Sequence, residues 1–401
     1  MKKNVAIIGS GPAALLCAAF LDIEKFNITI FEKNKSIARK FLVAGNGGFN
    51  LTHSEDGKEF IQKYLPQDYL DAAFASFTNT NLVLFLETIG IKTIIGSSGK
   101  IYPDKDIKPI QVIQAIKKYI LKKEIHIALQ HKWLGWTESD ELTFENNHNV
   151  KTDYTIFALG GKSWKITGSD GLWIEQFEGK GINCLPFLAS NCACKVNFET
   201  EFILKNEGNA LKNIELRCGE KTQKGEVVIT KFGLEGNAIY GLSNAIRKEL
   251  LEKKVAKICI DLKPSLSTEK IVEKLKRNTS VSISNVLKKE LNLSPTQVQL
   301  LKSVVSKETF LNIEKLAISI KNVPLEISEL GPINEAISTV GGIDCNELTP
   351  FFELKKLENT FCIGEMVNWD APTGGYLLQA CFSMGVHVAK HLNDRYKSYL
   401  E

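Results

Sequence analysis
The chain has 401 residues, 44% hydrophobic and 24% charged, with a formal net charge of +4. That length accommodates two or three domains, and the composition is that of a folded globular protein, not a disordered or fibrous one. So small a net charge argues against nucleic acid or a membrane as the main partner, and no apolar run approaches the ~20 residues of a membrane helix.

The N-terminus enters a strand almost at once, so no signal peptide is expected. Nine scattered cysteines, none in a Cys-x-x-Cys pair, read as reduced thiols in a cytoplasmic protein. Cys192-x-Cys194 has the spacing of neither a zinc site nor a redox pair, and no metal is expected.

Val5 to Ile8 predicts a strand, Gly9-Ser10-Gly11 a tight turn, Pro12 to Leu21 a helix, and Asn27 to Phe31 a second strand that closes on Glu32. This is the dinucleotide-binding fingerprint of a Rossmann unit, with Ala14 at its last position. Gly9 serves the turn off the strand. Gly11 lets backbone approach a pyrophosphate, and Ala14 lets the helix pack closely. Pro12 suits the first helical turn, where no donor is lost, and the Ala13 and Ala14 end of the helix offers N–H groups to phosphates. Glu32 is placed to accept from a ribose diol and would repel a 2′-phosphate, so FAD or NAD is expected there, not NADP.

Beyond this unit, Arg39 to Asn50 is a basic and then glycine-rich loop, and residues 56–90 read as helices. Pro109 to Leu121 has helical periodicity; Glu124 to Leu129, Lys132 to Trp136 and Tyr154 to Phe157 read as strands, the last ending in Gly160-Gly161. From Pro186 the texture changes to short alternating strands at Cys192 to Val196, Leu211 to Arg217, Gly225 to Thr230 and Ala256 to Leu262, which suit an antiparallel sheet or partial barrel. Ser265 to Lys307 is rich in Lys, Glu and Leu at helical spacing, with helix-start signals at Ser267 and Ser294-Pro295. The interleaved acids of the Lys-rich 249–276 stretch mark it as a solvated face. Ile333 to Val340 and Thr360 to Glu365 read as strands, and Leu377 to Leu392 as an amphipathic helix.

Four blocks, in order, give the chain a resemblance to a known family: Gly9-x-Gly11-x-x-Ala14 with Glu32-Lys33; Arg39-Lys40 with Gly45-Asn46-Gly47-Gly48-Phe49-Asn50-Leu51-Thr52; Ala158 to Ser163; and Gly364-Glu365 with Ala371 to Tyr376. The chain resembles the aminoacetone oxidase-like bacterial FAD-binding flavoproteins over almost its whole length. Within them it is similar to the subgroup with Trp-x-Ala-Pro-Thr-Gly-Gly-Tyr, here Trp369 to Tyr376. It departs from the wider family at Gly48-Phe49-Asn50, where many members have Arg-Cys-Asn. The resemblance implies an α/β fold with a discontinuous Rossmann-type FAD-binding domain (1–187 and 338–401), an inserted β-rich substrate domain (188–264 and 313–337) and a small helical subdomain (265–312).

It further implies non-covalent FAD held by the opening fingerprint, by Lys33, and by Lys40 with Gly45, Asn46 and Gly47 beside the flavin. Gly160 and Gly161 are expected near the pyrophosphate or the adenosine side, and the strand at Trp133 near the adenine. Gly364 with Glu365 is expected at the ribityl chain, and Thr373, Gly374, Gly375 and Tyr376 at the helix start facing flavin N1 and the C2 carbonyl. Flavin performs hydride chemistry itself, so side chains with catalytic roles are only weakly marked, at His53, Asn50 and Thr230.

The activity expected is an FAD-dependent oxidoreductase moving a hydride between a small organic substrate and flavin N5. NAD(P)H as a transient co-substrate, or O₂, would close the cycle; no second Gly-x-Gly-x-x-Gly unit is present. The partners expected are a small molecule, no nucleic acid and no membrane, and no oligomeric state is assigned. The alternative is a flavin-binding redox sensor or an RNA-modifying flavoprotein with little free turnover.

Overall fold
Val5, Ala6, Ile7 and Ile8 are consecutive apolar residues, and a strand of that kind needs cover on both faces. In the computed structural model, which describes residues 1–43, 48–146, 148–277 and 281–398, all four are buried at the centre of a five-stranded sheet. Its strands are β1 (Lys3–Ile8), β2 (Phe26–Glu32), β3 (His126–Leu129), β4 (Tyr154–Phe157) and β5 (Thr360–Cys362), in the order β5-β4-β1-β2-β3. Every neighbouring pair is parallel, and Ile8 stands opposite both Phe31 and Phe157. The chain moves out from β1 first to one side and then to the other. This reversal opens a crevice at the carboxyl ends of the strands, where ligands of such sheets bind.

Four helices position the crevice: α1 (Pro12–Phe20), α2 (Arg39–Val43), α3 (Pro109–Lys122) and α4 (Tyr376–Ser398). Helix α1 is apolar all round, with Ala13 to Ala19 all buried, because it packs on β1, β2 and α4 together. Gly385 of α4 makes the closest crossing: a Cβ there would strike the Ala13 carbonyl. Antiparallel strands Thr52–His53, Lys100–Pro103 and Thr93–Ile95 form a small sheet, and Trp133–Trp136, Leu142–Phe144 and Asn149–Val150 form another.

The chain divides into two compact units, residues 1–188 with 337–401, and residues 189–336. The second unit contains a closed antiparallel barrel rather than an open or partial one. Closure depends on Val323–Leu330, which pairs with both Ala256–Asp261 and Cys194–Val196. Residues 313–337 are expected within the β-rich domain, but this strand is not marked in the sequence, because Pro324 interrupts a pattern that otherwise alternates in burial. Helices at Thr268–Lys276 and Pro295–Val304 start where expected, with Ser267 accepting from the Lys270 N–H and Ser294 and Gln297 forming a reciprocal cap. The strand expected from Ile333 begins only at Ser338, because Ile333–Glu335 is a 3₁₀ turn behind Pro332.

Candidate functional site
The two glycines at the end of β1 do different jobs. Gly9 has φ +102°, and a Cβ there would strike the Ala158 carbonyl beyond β4, so the fold itself requires glycine. Gly11 has an ordinary φ of −72°, and a Cβ there would meet nothing within 4 Å. No neighbour among the described residues demands a glycine at this position, and the space before it is open to a ligand. Gly11 is also the N-cap of α1, with no side-chain cap, and Pro12 follows. The N–H groups of Ala13 and Ala14 have no intrahelical acceptor and share the positive end of the helix dipole. An open cradle with such donors fits the pyrophosphate of FAD.

Glu32 ends β2 with its side chain buried. Its Oε1 accepts from the Asn34 N–H at 2.8 Å and from Asn34 Nδ2 at 2.6 Å, and its Oε2 accepts from Ser10 Oγ. Ser10 Oγ accepts in turn from the Ala38 N–H at 3.3 Å. The carboxylate is thus held in place by the protein itself, with lone-pair capacity left on Oε2. Ser10 and Asn34 were not singled out from the sequence, although Ser10 lies between the two fingerprint glycines. Lys33 pairs with Asp170 at 2.8 Å, and Arg39 donates to Asn34 Oδ1 at 2.9 Å.

Lys40 reaches from α2 to Glu365, just after β5, at 2.6 Å, and to the buried Ser163 hydroxyl at 2.7 Å. Glu365 also accepts from the Thr339 N–H at 2.9 Å. The Glu365 carboxylate, expected at the ribityl chain, is therefore already engaged by the protein. Gly161 makes room for this cluster, because a Cβ there would strike Thr339 Oγ1. The carbonyls of Gly160 and Gly364 accept from the indoles of Trp173 and Trp369 at 3.0 and 2.9 Å, which fixes both turns. Cys381 lies close to Gly364, and burial pushes its thiol up to about 12, so it packs as an apolar group.

Gly375, at φ +100°, presses against the Thr52 backbone, and its carbonyl accepts from the Gln379 N–H at 3.0 Å to start α4. Thr52 Oγ1 donates to Gln379 Oε1 at 2.8 Å, and Gln379 Nε2 donates to the Phe77 carbonyl at 3.0 Å. The start of α4, from Thr373 and Gly374 onward, is thereby bolted to the segment carrying Asn50 and Thr52. The Asn50 amide oxygen is buried and has no hydrogen-bond partner among the described residues, so a ligand N–H would satisfy it.

Tyr376 donates to Glu55 at 2.8 Å and stacks on His53 with ring centroids 5.4 Å apart. Burial raises the Tyr376 pKa, and the neighbouring Glu55 adds to the effect, so the phenol stays protonated. His53 Nδ1 accepts from the Glu55 N–H at 3.1 Å and Nε2 donates to the Ser98 carbonyl at 2.9 Å. Both ring nitrogens are occupied by backbone, which gives His53 a structural part in this arrangement.

Other expected residues lie apart. Gly45, Asn46 and Gly47 fall outside the described residues. Trp133 is packed among Trp136, Phe157 and Phe177, and the Lys132 carbonyl takes the Glu145 N–H at 3.0 Å. Thr230 lies in the second unit, where its hydroxyl accepts from the Gly233 N–H at 3.1 Å in a tight turn. Among the described residues no group of His, Cys, Asp and Glu could hold a metal ion, and no helix is long and apolar enough to cross a membrane.

A reversal of strand order at β1, an open glycine at an uncapped helix start and an acid held on β2 are the marks of a dinucleotide-binding Rossmann fold, and within it the chain is of the FAD-dependent oxidoreductase class. Residues 3–391 match the HI0933-like protein Rossmann domain, and the chain belongs to that family. It is 25% identical over 393 residues to a ribosomal RNA dihydrouridine synthase of Haemophilus influenzae, covering 94% of this chain and 95% of that one. It is 23% identical over 424 residues to a 3-dehydro-bile acid delta(4,6)-reductase of Clostridium scindens, covering 98% and 100%. Among solved structures, the 3-ketosteroid-delta4-(5alpha)-dehydrogenase of Rhodococcus jostii RHA1 shares the fold, with a TM-score of 0.50, 12% identity and coverage of 97% and 96%. These relatives include proteins named for small molecules and for RNA, so the expected exclusion of nucleic acid does not follow from them.

Proposed function
We propose that this protein is an FAD-dependent reductase of a carbon–carbon double bond conjugated to a carbonyl. The observation that carries FAD is the open cradle at Gly11 on the uncapped start of α1. The bond type is supported by the two relatives: a dihydrouridine synthase and a delta(4,6)-reductase both, by name, saturate such a bond. Bound FAD, once reduced, would supply hydride chemistry for the carbon β to the carbonyl, and a proton from solvent would complete the α carbon.

The residues of this chain bind and orient. The N–H groups of Ala13 and Ala14 would hold the pyrophosphate, and Glu32, aimed by Ser10 and Asn34, would hold the ribose. The start of α4 behind Gly374 and Gly375 would place its dipole toward the pyrimidine edge, where added electron density is stabilised. Asn50 would accept from an N–H of the bound ring or substrate. NAD(P)H is the proposed transient reductant, residues 189–336 the proposed seat of specificity, and the cytoplasm the proposed location. The run Trp369 to Tyr376 keeps the chain beside the aminoacetone oxidase-like branch in this reading.

Purified protein is expected to be yellow, with absorption near about 450 nm that denaturation releases. Anaerobic NADH or NADPH should bleach it, and an added α,β-unsaturated ketone or a uridine-containing RNA should restore the colour without air. Recovery only on admitting O₂ would mean an oxidase and would end the reductase reading.

A further inference from the structure
Helix α3 buries Val112, Ile113, Ile116 and Ile120 and turns Gln111, Gln114, Lys118, Leu121 and Lys122 outward. From Lys108 to Lys123 the chain contains five lysines and no Asp or Glu. Lys123 is engaged with the Ala19 and Leu21 carbonyls, at 2.7 and 2.9 Å. Among the described residues Lys108, Lys117, Lys118 and Lys122 form no ion pair. Gln114, Lys117, Lys118, Leu121 and Lys122 line a shallow, open hollow of ≈ 470 Å³.

The second unit is richer in cations, with 23 Lys and Arg against 18 Asp and Glu over residues 189–336, yet many of these are neutralised locally. Lys205, Lys253, Lys276, Arg277 and Lys315 each sit on a glutamate. Lys288 and Lys289 also lack an ion pair among the described residues, but α3 with its N-cap gathers four such lysines.

Direction matters too. Helix α3 leads into β3, which is parallel to β2 and hence to β1, so α3 runs back from the carboxyl edge of the sheet. Its first residue, beside Lys108, lies at the edge that holds Gly11, and Lys117, Lys118 and Lys122 lie about 12 to 20 Å further along at ~1.5 Å per residue.

We propose that the outer face of α3 binds the phosphate backbone of an RNA strand whose base is presented to the flavin site. The proposal rests on the double-bond reading above and gives it a substrate class. A row of unpaired lysines complements a phosphate chain, and counterion release drives such binding. An anionic membrane fits less well. A helix lying in lipid inserts its apolar side, and the apolar side of α3 is buried in the protein core. Only Ile110 and Leu121, 41% and 50% exposed, remain outside as large apolar groups.

The test uses the full-length, FAD-loaded protein and a fluorescein-labelled 20-nucleotide oligouridylate, read by anisotropy between 50 and 300 mM salt. Four lysine–phosphate contacts at about 0.7 each give a slope of log affinity on log salt of about −3. The triple variant Lys117→Gln/Lys118→Gln/Lys122→Gln should bring the slope to about −1 and weaken binding at least roughly tenfold at 100 mM salt. The control Lys288→Gln/Lys289→Gln should bind as the parent does.

Flavin content, and turnover of a free α,β-unsaturated ketone where the parent shows it, should be unchanged in the triple variant. A failure of the reductase reading is therefore visible separately from a failure of this surface. Equal RNA binding by parent and triple variant, or no RNA binding at 50 mM salt, overturns the proposal. So does a lysine-dependent affinity for phosphatidylserine vesicles without one for RNA.

Discussion

Lys40 and Glu365 are 325 positions apart in the chain, and their charged groups meet at 2.6 Å. The pair ties α2, from the first part of the discontinuous unit, to the turn after β5, from the second part. Thr339 holds the carboxylate and Ser163 the ammonium, so each ion has a neutral partner as well as its counter-ion. Neither side chain is fully buried, at 25% and 17% exposure, which moderates the electrostatic gain.

Lys40→Met should destabilise the protein by about 1–3 kcal/mol, because Glu365 keeps its partly buried position without its cation. Adding Glu365→Gln should recover part of that loss. Urea denaturation of the two single variants and the double variant closes the cycle, and strict additivity would show that the pair is not coupled.

The two fingerprint glycines should separate folding from binding. Gly11→Val places a side chain in open space at an ordinary φ, so thermal stability should change little while FAD binding is lost. Gly9→Ala should behave in the opposite way. Its positive φ and the nearby Ala158 carbonyl should cost at least about 1–3 kcal/mol of fold stability, whatever happens at the ligand. Melting temperature and flavin content of the two purified variants decide this.

Ser10→Ala removes the donor that aims Glu32 Oε2 and leaves Asn34 in place. FAD retention should fall by about 0.5–1.5 kcal/mol, or roughly threefold to tenfold in Kd. Glu32→Ala should exceed this, since the ribose then loses its acceptor. Quenching of FAD fluorescence on titration into apoprotein measures both. A Ser10→Ala variant that binds FAD like the parent would confine Ser10 to a packing role.

His387 of α4 accepts from the Ser76 hydroxyl at Nδ1, 2.6 Å away, and donates from Nε2 to the Pro350 carbonyl at 3.2 Å. Burial lowers its pKa below the ordinary 6.5, with His391 and Lys390 adding to the effect against the Pro350 carbonyl. His391, next along the helix, is lowered as well, by burial and then by Arg395. The unfolded chain therefore takes up protons first. Stability is complete above about pH 6.5 and falls as pH drops from there through the lower folded values. His387→Gln should flatten the dependence of unfolding free energy on pH between about 5 and 6.5, leaving the part that belongs to His391. An unchanged slope would show that His387 is not the group responsible.

Local chemistry written in consecutive residues was legible before any fold was known. Val5 to Glu32 specified a strand, a turn, a helix and an acid at fixed offsets, because periodicity and turn requirements act over a few residues. Ser294-Pro295 marked a helix start for the same reason. Other features depended on residues that meet only in three dimensions. Glu365 reads as an acid at a strand end, and nothing nearby in the chain shows that Lys40 and Thr339 fill its acceptors. Gly11 and Gly375 look alike as letters, yet one opens on empty space and the other presses on Thr52. Val323–Leu330 completes a barrel through partners at residues 194–196 and 256–261, which no local pattern encodes. Short-range sterics set the elements and the nucleotide fingerprint. The engagement of each polar group, and which glycine opens on empty space, were decided only when distant segments packed.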